Sequence, residues 1–298
     1  MTYPAKLYPD MPMADYVADP CPVPSLNSGA IHRLVTQSPL HCWFHHPRLN
    51  PKWESEDSTE TDIGKIAHAM LLEGDESKLV IVDAPDWRTK AAKEGRDQAR
   101  ADGKIPVLAE RMEDVRAMVV KARAAIERSE LPKEFMADAR VEQTLLWQED
   151  GTWFRSRPDK HGLGFVLDYK TTSLSANPES WIRGPMIQRG YDIQAALGIR
   201  GFSRFGIDCK FVFMVQETSA PYSCSFVGMS PARVELANQK IDRAIHLWRE
   251  CLSKNQWPDY PRVIHWAEPA PWEQAQWEEK MWQAYELDEI QLKEGIQA

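Results

Sequence analysis

The sequence lacks any long apolar run, and this absence narrows the classes of protein to which the chain can belong. A membrane-spanning helix needs roughly 18 consecutive apolar residues, and none of the 298 residues lies in such a run. The first residues, MTYPAKLYPDMPMADY, also lack the apolar centre of a signal peptide. We therefore expect a cytoplasmic protein without a membrane partner.

Cysteine is scarce, and no two cysteines form a CxxC pair. The five cysteines are Cys21, Cys42, Cys209, Cys224 and Cys251. Zinc and iron–sulfur sites usually draw on closely spaced cysteines, so we expect neither site here. The cysteines are predicted to be reduced, small residues of the core.

Positive charge is in the minority, with 36 basic residues against 44 acidic ones and a net charge of −8. This balance argues against a uniformly basic surface that wraps nucleic acid. It does not exclude nucleic acid, because metal-dependent nucleases need carboxylates at their site and local basic patches can hold phosphates. The hydrophobic content of 43% and the twelve tryptophans indicate a folded chain with a sizeable core.

The apolar periodicity predicts helices first and a change to strands beyond Pro132. Residues 1–24 are proline-rich and are expected to be irregular. Asp150-Gly151 predicts the turn of a β-hairpin, and FVLDYK, FVFMVQ and YSCSFVG predict further strands. This order favours an α/β or α+β sandwich around a mixed sheet. The predicted helices cover residues 25–47 with a break at Pro39, 61–74, 108–126, 178–183, 191–205, 231–254 and the acidic, tryptophan-rich tail.

An acidic and a basic residue end an apolar strand in the segment FVLDYKTTS. Side chains alternate across a strand, so Asp168 and Lys170 share a face and Tyr169 points the other way. Asp159 ends the preceding strand, and the turn HGLG brings its carboxylate towards Asp168. Two clustered carboxylates suit a hard divalent cation, beside which Lys170 could orient or deprotonate an attacking water or balance the transition state. The alternative is a structural salt bridge between Asp159 and Lys170.

Several segments together resemble one nuclease family. RPD followed by DYKTT resembles the PD-(D/E)XK motif, and DIGKIAHAMLLEG is similar to the G-x-x-x-H-x-x-L-L-E segment of the RecE-like exonucleases (exonuclease VIII). VEQTLLW, WRTKAAKEGRDQARADGK and the Tyr-x-x-Gln helix of YDIQAAL agree with the same family, in the same order, from about Ser25 to Pro258. The chain therefore resembles a phage or prophage exodeoxyribonuclease of the PD-(D/E)XK superfamily.

The resemblance implies an α/β fold with a restriction-endonuclease-like core. A central mixed β-sheet would be flanked by helices, with N-terminal helical additions. One exonuclease domain would cover residues 25–265, between the irregular segment 1–24 and a C-terminal helix over 266–298. On that helix a stripe of large side chains would pack internally or contact a subunit or partner: Trp272, Trp277, Met281 and Trp282.

The resemblance also implies the residues of the site. The metal ligands would be His68, Asp159, Asp168 and the Tyr169 carbonyl, holding Mg²⁺, with Mn²⁺ as an acceptable substitute. Glu142 would lie near the metal or be a solvated edge residue, and Gln194 would bond near the scissile phosphate or lie on a helix surface. The catalytic set would be Lys170, Asp168, Asp159, Glu142 and Gln194.

DNA contacts are expected from Arg88, Lys90, Arg157 and Tyr191. Arg88 and Lys90 would follow the DNA backbone or lie on a solvated helix, and Arg157 would contact a phosphate or pair with Asp159. Many relatives carry a QxxxY pattern on the helix of Gln194, whereas this chain has Gly198 in place of the tyrosine. Tyr191 supplies an aromatic side chain one turn earlier.

The implied function is metal-dependent degradation of one strand of linear duplex DNA, 5′→3′, which leaves single-stranded overhangs for recombination by strand annealing. The resemblance adds DNA ends as substrate, a ring-shaped homo-oligomer (trimer or tetramer) and a single-strand annealing protein as partner, in the cytoplasm of a bacterial host. Two alternatives stay open. One is a Cas4- or restriction-like endonuclease, although the cysteine spacing disfavours the Cas4 type. The other is a nuclease-fold protein that binds DNA or a partner without cleaving.

Overall fold

Groups of helices and groups of strands follow one another along the chain. The structure is a computed structural model that describes residues 2–54, 62–74 and 76–295. The strands are β1 (Lys6–Tyr8), β2 (Leu79–Val82), β3 (Ile105–Leu108), β4 (Arg140–Val141), β5 (Thr144–Glu149), β6 (Thr152–Ser156), β7 (Lys160–Gly162), β8 (Phe165–Thr172), β9 (Lys210–Glu217) and β10 (Cys224–Gly228). The helices are α1 (Met13–Val17), α2 (Ser28–Thr36), α3 (Pro39–Phe44), α4 (Asp62–His68) with a π-helical turn after it (Ala69–Glu73), α5 (Lys90–Ala101), α6 (Ala109–Glu127), α7 (Phe135–Asp138), α8 (Pro178–Arg183), α9 (Pro185–Gln188), α10 (Tyr191–Ser203), α11 (Pro231–Lys254) and α12 (Pro271–Gly295).

The helix boundaries follow local signals in the sequence. The predicted break at Pro39 is confirmed, because α2 ends at Thr36 and α3 begins at the proline. Ser230 caps α11 by accepting a hydrogen bond from the backbone N–H of Arg233, which is the usual role of serine at this position. The helix predicted from residue 61 begins at Asp62, and Thr61 lies outside the described residues.

Five strands form the central sheet, in the order β10-β9-β8-β7-β4. β8 and β9 run parallel, while the other neighbouring pairs are antiparallel, so the sheet is mixed as predicted. β8 is buried on both faces, because Val166 belongs to one apolar core and Leu167 and Tyr169 belong to another. Because both faces of β8 are packed, each of its side chains has a fixed direction.

Helices cover both faces of the central sheet. On one face, α2, α10 and α11 form an apolar core with Phe211, Phe213 and other side chains of β9. On the other face, α4, the π turn and α6 pack over Leu167 and Met214. Helices on both faces of one central mixed sheet give a layered α/β fold, and the predicted fold class is confirmed.

The hairpin of β5 and β6 belongs to a separate sheet. Its turn residues Asp150 and Gly151 have positive φ values of 43° and 85°, as a two-residue hairpin turn requires. The next strand in this sheet is β1, which pairs with β5. The prediction that Asp159 ends the strand before FVLDYK is therefore wrong for this hairpin, because β6 ends at Ser156 and the short strand β7 lies between Asp159 and β8. Pro158 lacks the N–H that a ladder needs. The chain accordingly leaves β6 after Ser156 and begins the short strand β7 in the central sheet.

The N-terminal segment over residues 1–24 is not irregular throughout, contrary to the sequence-based expectation. It contains β1 and α1. Leu7 packs against the main core and Met11 is buried. Burial of these apolar side chains orders a segment whose proline content alone suggested irregular chain.

The chain divides into two compact units, Met1–Asp259 and Tyr260–Ala298. The second unit contains α12, on which Trp272, Trp277 and Trp282 are exposed, so these side chains do not pack internally. Residues 296–298 of the predicted tail helix lie outside the described residues. Within the described part of the chain, no helix is both long and apolar enough to span a membrane.

Candidate active site

The middle of β8 carries a buried acid beside a basic residue. Asp168 is fully buried on the face that Val166 also uses, and one of its carboxylate oxygens, Oδ1, forms an ion pair with the Lys170 ammonium. The other oxygen, Oδ2, accepts a hydrogen bond of 2.6 Å from the Gln194 side chain on α10. Tyr169 points to the opposite core, where its hydroxyl bonds Gln216. The alternation predicted from the sequence is therefore present.

Asp159 lies directly before β7, next to Asp168. β7 and β8 are antiparallel with Lys160 opposite Leu167, so the residue before Lys160 falls opposite Asp168. Asp159 Oδ2 accepts a hydrogen bond of 2.7 Å from the Tyr169 backbone N–H, which fixes the carboxylate at the strand end. The Tyr169 carbonyl remains a predicted ligand only, since no described contact bears on it.

His68, at the end of α4, joins Asp159, Asp168 and Lys170 in one cluster. Its Nε2 lies 3.3 Å from Asp159 Oδ1, and its Nδ1 lies 3.8 Å from Glu73 Oε1. The π-helical turn explains the second contact, because i→i+5 bonding brings residues five apart onto one side. In an ordinary α-helix the same spacing would separate the two side chains by about 140°. The apolar spacing over residues 61–74 predicted an ordinary α-helix, so Glu73 was not among the predicted site residues, although it stands in the H-x-x-L-L-E segment.

The pKa values of the cluster reflect two acids and two bases in a buried site. Burial tends to lower the pKa of His68, but hydrogen bonds with Asp159 and Glu73 outweigh it and raise the pKa to about 10. Burial and the neighbouring Asp159 carboxylate raise the pKa of Asp168 to about 6, against the opposing effect of Lys170. Burial alone would raise the pKa of Asp159, whereas His68 and Lys170 together lower it.

The donor set fits a hard divalent cation. Asp168 Oδ1 is buried and has the Lys170 ammonium as an ionic neighbour, yet no donor among the described residues is aligned with it for a hydrogen bond. Ligand atoms of His68, Glu73 and Glu142 lie within 4.8 Å of one another. Carboxylate oxygens suit Mg²⁺ or Mn²⁺, and the His68 imidazole becomes a ligand when the incoming ion displaces its proton. The residues that could hold the ion are therefore the predicted His68, Asp159 and Asp168, with Glu73 and Glu142 beside them.

Glu142 and Arg157 form a pair that sequence analysis did not predict. Arg157 donates to Glu142 Oε2 at 2.8 Å, to the Met11 carbonyl at 2.6 Å and to Thr144 Oγ1 at 3.0 Å. Its side chain is 9% exposed. The prediction that Arg157 pairs with Asp159 is therefore wrong: strand alternation ends at β6, and the guanidinium instead holds Glu142 beside the cluster. A phosphate contact by Arg157 stays a prediction.

Two side chains of α10 contact Asp168 and Lys170. Gln194 bonds Asp168 as described above, so it is not a helix-surface residue. The Tyr191 ring centroid lies 5.0 Å from the Lys170 ammonium, a cation–π distance. Tyr191 also stacks on Trp181, with ring centroids 5.5 Å apart. Both residues predicted from the Tyr-x-x-Gln segment thus lie at the site.

Gly198 faces the core and not the site. A Cβ at this position would lie 3.0 Å from Cε2 of Phe211 on β9, which is tighter than ordinary packing. A tyrosine in place of Gly198 has no room in this arrangement. The close packing of α10 on β9 therefore gives a structural reason for glycine where the QxxxY pattern has tyrosine.

A cleft of about 690 Å³ opens beside Lys170. Its lining includes the aromatic side chains of Trp87 and Tyr191 and the basic side chains of Arg111 and Arg189. Trp87 and the two arginines were not among the predicted site residues. Arg189 could have been noticed, because it stands two residues before Tyr191 at the start of α10. Arg111 gave no local signal, since it lies in an ordinary helix, α6, far along the chain.

Arg88 and Lys90, the predicted DNA-backbone contacts, lie on the surface near the start of α5. Their side chains are 91% and 90% exposed, and they interact with Asp86 and Glu94 respectively. Neither residue lines the cleft beside Lys170, whereas Trp87 does. The structure is thus consistent with the solvated-helix alternative, and a DNA contact by these two residues stays a prediction.

The chain is similar to one family of protein domains and to two solved structures. Residues 41–265 match a family described as a PDDEXK-like domain of unknown function, DUF3799. A crystal structure of a protein from Eubacterium rectale, described as a putative exonuclease, aligns with a TM-score of 0.52 at 14% identity, covering 82% of this chain and 90% of that one. An alkaline exonuclease from Laribacter hongkongensis aligns with a TM-score of 0.30 at 14% identity, covering 64% of this chain and 97% of that one.

The alignment with the Eubacterium rectale structure shows a similar fold only, because the sequence identity is 14%. No curated protein sequence gives a significant match. The family match covers most of the first compact unit and includes Pro158-Asp159 and Asp168-Tyr169-Lys170. The chain therefore belongs to the family of PDDEXK-like domains DUF3799, and its core is that of the PD-(D/E)XK nucleases.

Proposed function

We propose that this protein is a metal-dependent exodeoxyribonuclease that degrades one strand of linear double-stranded DNA. The fold supports a nuclease, and PD-(D/E)XK nucleases generally use divalent metals. The observation that carries the proposal is the convergence of Asp159, Asp168 and Lys170 at β7 and β8, with His68 3.3 Å from Asp159.

The carboxylates and His68 would hold Mg²⁺, with Mn²⁺ as a substitute. When bound there, such an ion supplies Lewis-acid polarisation of the phosphodiester. Asp168 and Asp159 outweigh the effect of burial and raise the pKa of Lys170, so its side chain is an ammonium at neutral pH. A cation in this place orients the attacking water and stabilises negative charge in the transition state; it is poorly suited to deprotonating the water.

The cleft beside Lys170 suits the strand that is degraded. Arg111 and Arg189 would attract the phosphate backbone, whose charge dominates affinity for DNA. Trp87 and Tyr191 offer ring faces on which unpaired bases can stack. Both features are independent of base sequence, as degradation of any linear duplex requires.

The test is digestion of linear duplex DNA by the purified full chain. We expect digestion with Mg²⁺, none with EDTA, and a loss of at least about 100-fold in rate for Lys170→Ala and Asp168→Asn. Lys121→Ala, at an exposed position of α6, is the matched control and should digest normally. Equal digestion by all four proteins would remove the catalytic assignment.

Strand polarity and mode of attack need separate substrates. We expect a 5′-labelled strand to release its label early and a 3′-labelled strand to release it late, because the resemblance favours 5′→3′ degradation. Closed circular duplex should resist, since an exonuclease needs an end. Cleavage of closed circles would instead favour the restriction-like endonuclease.

The proposed assembly and partner rest on the resemblance alone. They are a ring-shaped trimer or tetramer that threads DNA, and a single-strand annealing protein that receives the overhang, both in the host cytoplasm. Light scattering on the purified chain measures the first. A monomer at micromolar concentration would contradict the ring.

Of the alternatives, neither gains support from a specific contact. Among the described residues, no group suited to a metal contains a cysteine, which disfavours a Cas4-like cluster. The non-cleaving alternative drew on Gly198, and the packing against Phe211 gives that glycine a structural reason.

A further inference from the structure

A second cavity, of about 960 Å³, lies between the π turn, the C-terminal end of α6 and the strands β4 and β7. It does not include the residues of the cleft beside Lys170. Its lining combines basic side chains with an apolar wall. Glu73 belongs both to this lining and to the catalytic cluster, so the cavity adjoins the proposed active site.

Lys160 is the unusual residue of this cavity. It stands opposite Leu167 on the sheet face that otherwise carries apolar side chains, and it is 4% exposed. Its ammonium makes one long hydrogen bond, 3.5 Å to the Leu72 carbonyl. No carboxylate in the described residues forms an ion pair with it. A buried charge without a counter-charge is costly, and an anionic ligand in the cavity would remove that cost.

Three further cations surround the cavity. Arg123 donates a hydrogen bond to the Met70 backbone carbonyl at 3.3 Å, and Lys133 donates one to the Glu127 backbone carbonyl at 3.0 Å. Because backbone carbonyls are neutral, these bonds do not cancel the positive charge of either side chain. Arg128 also lines the cavity. Two acids also line the cavity, Glu127 and Glu73, and Glu73 is already engaged by His68 and Lys78. The four basic side chains of the lining outnumber these two acids. The cavity therefore favours a ligand with more than one negative charge.

The apolar wall indicates that the ligand is larger than a simple anion. Ile126, Leu131, Met136 and Val141 line the same cavity. The volume lies at the upper end of the range for small-molecule sites, roughly 300 to 1,000 Å³. A phosphate monoester on a flat, weakly polar body matches both halves of the lining.

We propose that this cavity binds a nucleoside 5′-monophosphate, with the phosphate on Lys160 and the base against the apolar wall. The class of ligand rests on the proposed exonuclease activity, which releases such nucleotides next to the cavity. Glu73 lines the cavity and also lies beside His68, so a released nucleotide has only a short distance to travel. The cavity would then become occupied as the nucleotide product accumulates.

Isothermal titration of the full chain with deoxyadenosine monophosphate in EDTA tests the proposal. Without divalent metal, binding at the catalytic carboxylates is suppressed. We expect saturable binding of one nucleotide per chain, and much weaker binding of deoxyadenosine and of inorganic phosphate. No binding of the nucleotide overturns the proposal, as does equal binding of inorganic phosphate. Tighter binding of an acidic peptide with an apolar terminus would assign the cavity to a protein partner instead.

Variants locate the site. Lys160→Met, which keeps the length of the side chain without its charge, should weaken nucleotide binding by at least about tenfold while its unfolding temperature stays level or rises. Lys121→Met is the control on α6 and should bind normally. Unchanged binding by Lys160→Met would overturn the assignment.

Lys170→Ala separates this proposal from the proposed function. It should lose nuclease activity and keep nucleotide binding. A wild-type chain that digests DNA without binding the nucleotide would end this inference alone. A chain that binds the nucleotide through Lys160 but digests nothing would end the exonuclease proposal and leave a nucleotide site.

Discussion

Asp168 is held by three neighbours that act on its carboxylate in different ways. Lys170 compensates its charge, Asp159 opposes its ionisation, and Gln194 donates to the oxygen that Lys170 does not contact. Gln194 thereby fixes the orientation of the carboxylate without being a metal ligand itself. Such supporting hydrogen bonds commonly decide how well a metal site works.

Replacing Gln194 by alanine should therefore reduce nuclease activity without unfolding the protein. We expect a decrease of about 10- to 100-fold, with a higher Mg²⁺ concentration needed for half-maximal rate. The measurement is the rate of duplex digestion over a series of Mg²⁺ concentrations. Gln239→Ala, at an exposed position of α11, serves as the control. A Gln194→Ala chain with wild-type rate and metal dependence would contradict the supporting role.

Glu149 on β5 makes the fold sensitive to acid. Burial alone would raise its pKa, but ion pairs with Arg200 and Arg204 and the hydrogen bond from Trp147 outweigh burial and lower the pKa to about 2. A carboxylate whose folded pKa is depressed stabilises the protein above its unfolded pKa and loses that contribution as the pH falls. Here the loss spans the interval from about pH 4.5 down to about 2.

The variant Glu149→Gln should be less stable than the wild type at pH 7 by about 1–2 kcal/mol, after allowance for solvent screening of the partly exposed Arg204. The difference should shrink as the pH falls below 4.5, because the wild-type carboxylate then becomes protonated. Urea unfolding at a series of pH values measures this. A difference that stays constant from pH 7 to pH 2.5 would show that Glu149 does not supply the acid sensitivity.

The residues of the site that could be predicted are those on β8 and next to the turn before it. Asp159, Asp168 and Lys170 follow from alternation and a short turn, which are local properties. The pairing of Arg157 with Glu142 was not predictable, because it depends on where β6 ends and how β4 is placed. Arg111 reaches the cleft only through tertiary packing of α6, and no local pattern in the sequence marks it.

At the scale of elements, α10 shows how packing limits the side chains that a helix can carry. One part of the helix directs Tyr191 and Gln194 towards the charged cluster, and another part presses Gly198 and Gly201 against the core. A Cβ at Gly201 would lie 2.9 Å from the Trp147 ring. The small residues let α10 approach both sheets closely, which brings Gln194 within reach of Asp168.

Gly198→Tyr, which restores the QxxxY pattern, should therefore destabilise the protein. Overpacking of a buried position costs about 1–3 kcal/mol or more, and the displaced helix would carry Gln194 away from Asp168. We expect a lower unfolding temperature together with lower nuclease activity. Ser203→Tyr, at an exposed position of the same helix, should change neither. Higher activity of Gly198→Tyr would mean that the helix can accept the aromatic side chain after all.

The elements themselves were predicted unevenly, for physical reasons. Long helices such as α6 and α11 were found because their apolar periodicity repeats over several turns. The π turn was not, because a single widened turn leaves no trace in the spacing of apolar residues. The pairing of β1 with β5 was also missed, since strand pairing is a long-range choice; only Pro158 hinted that the hairpin strand β6 would stop before β8.

For the molecule as a whole, the core and the proposed catalytic residues belong to one compact unit. Every described member of the three apolar clusters lies at or before Trp257. The end of this unit is tied to the start of α3, since the Pro258 carbonyl accepts from the Leu40 N–H and Asp259 accepts from the Ser38 hydroxyl. The second unit adds exposed aromatic side chains, including Trp266.

A chain shortened to residues 1–262 should accordingly fold and keep Mg²⁺-dependent nuclease activity. It retains the contacts of Pro258 and Asp259, and it removes only side chains that contribute little to the described cores, so we expect a stability change below about 1 kcal/mol. Thermal unfolding and the initial rate on short linear duplexes measure the two properties. Aggregation of the shortened chain would mean that the aromatic tail stabilises the first unit. Normal folding with loss of activity would mean that the tail takes part in binding DNA or in assembling the active oligomer.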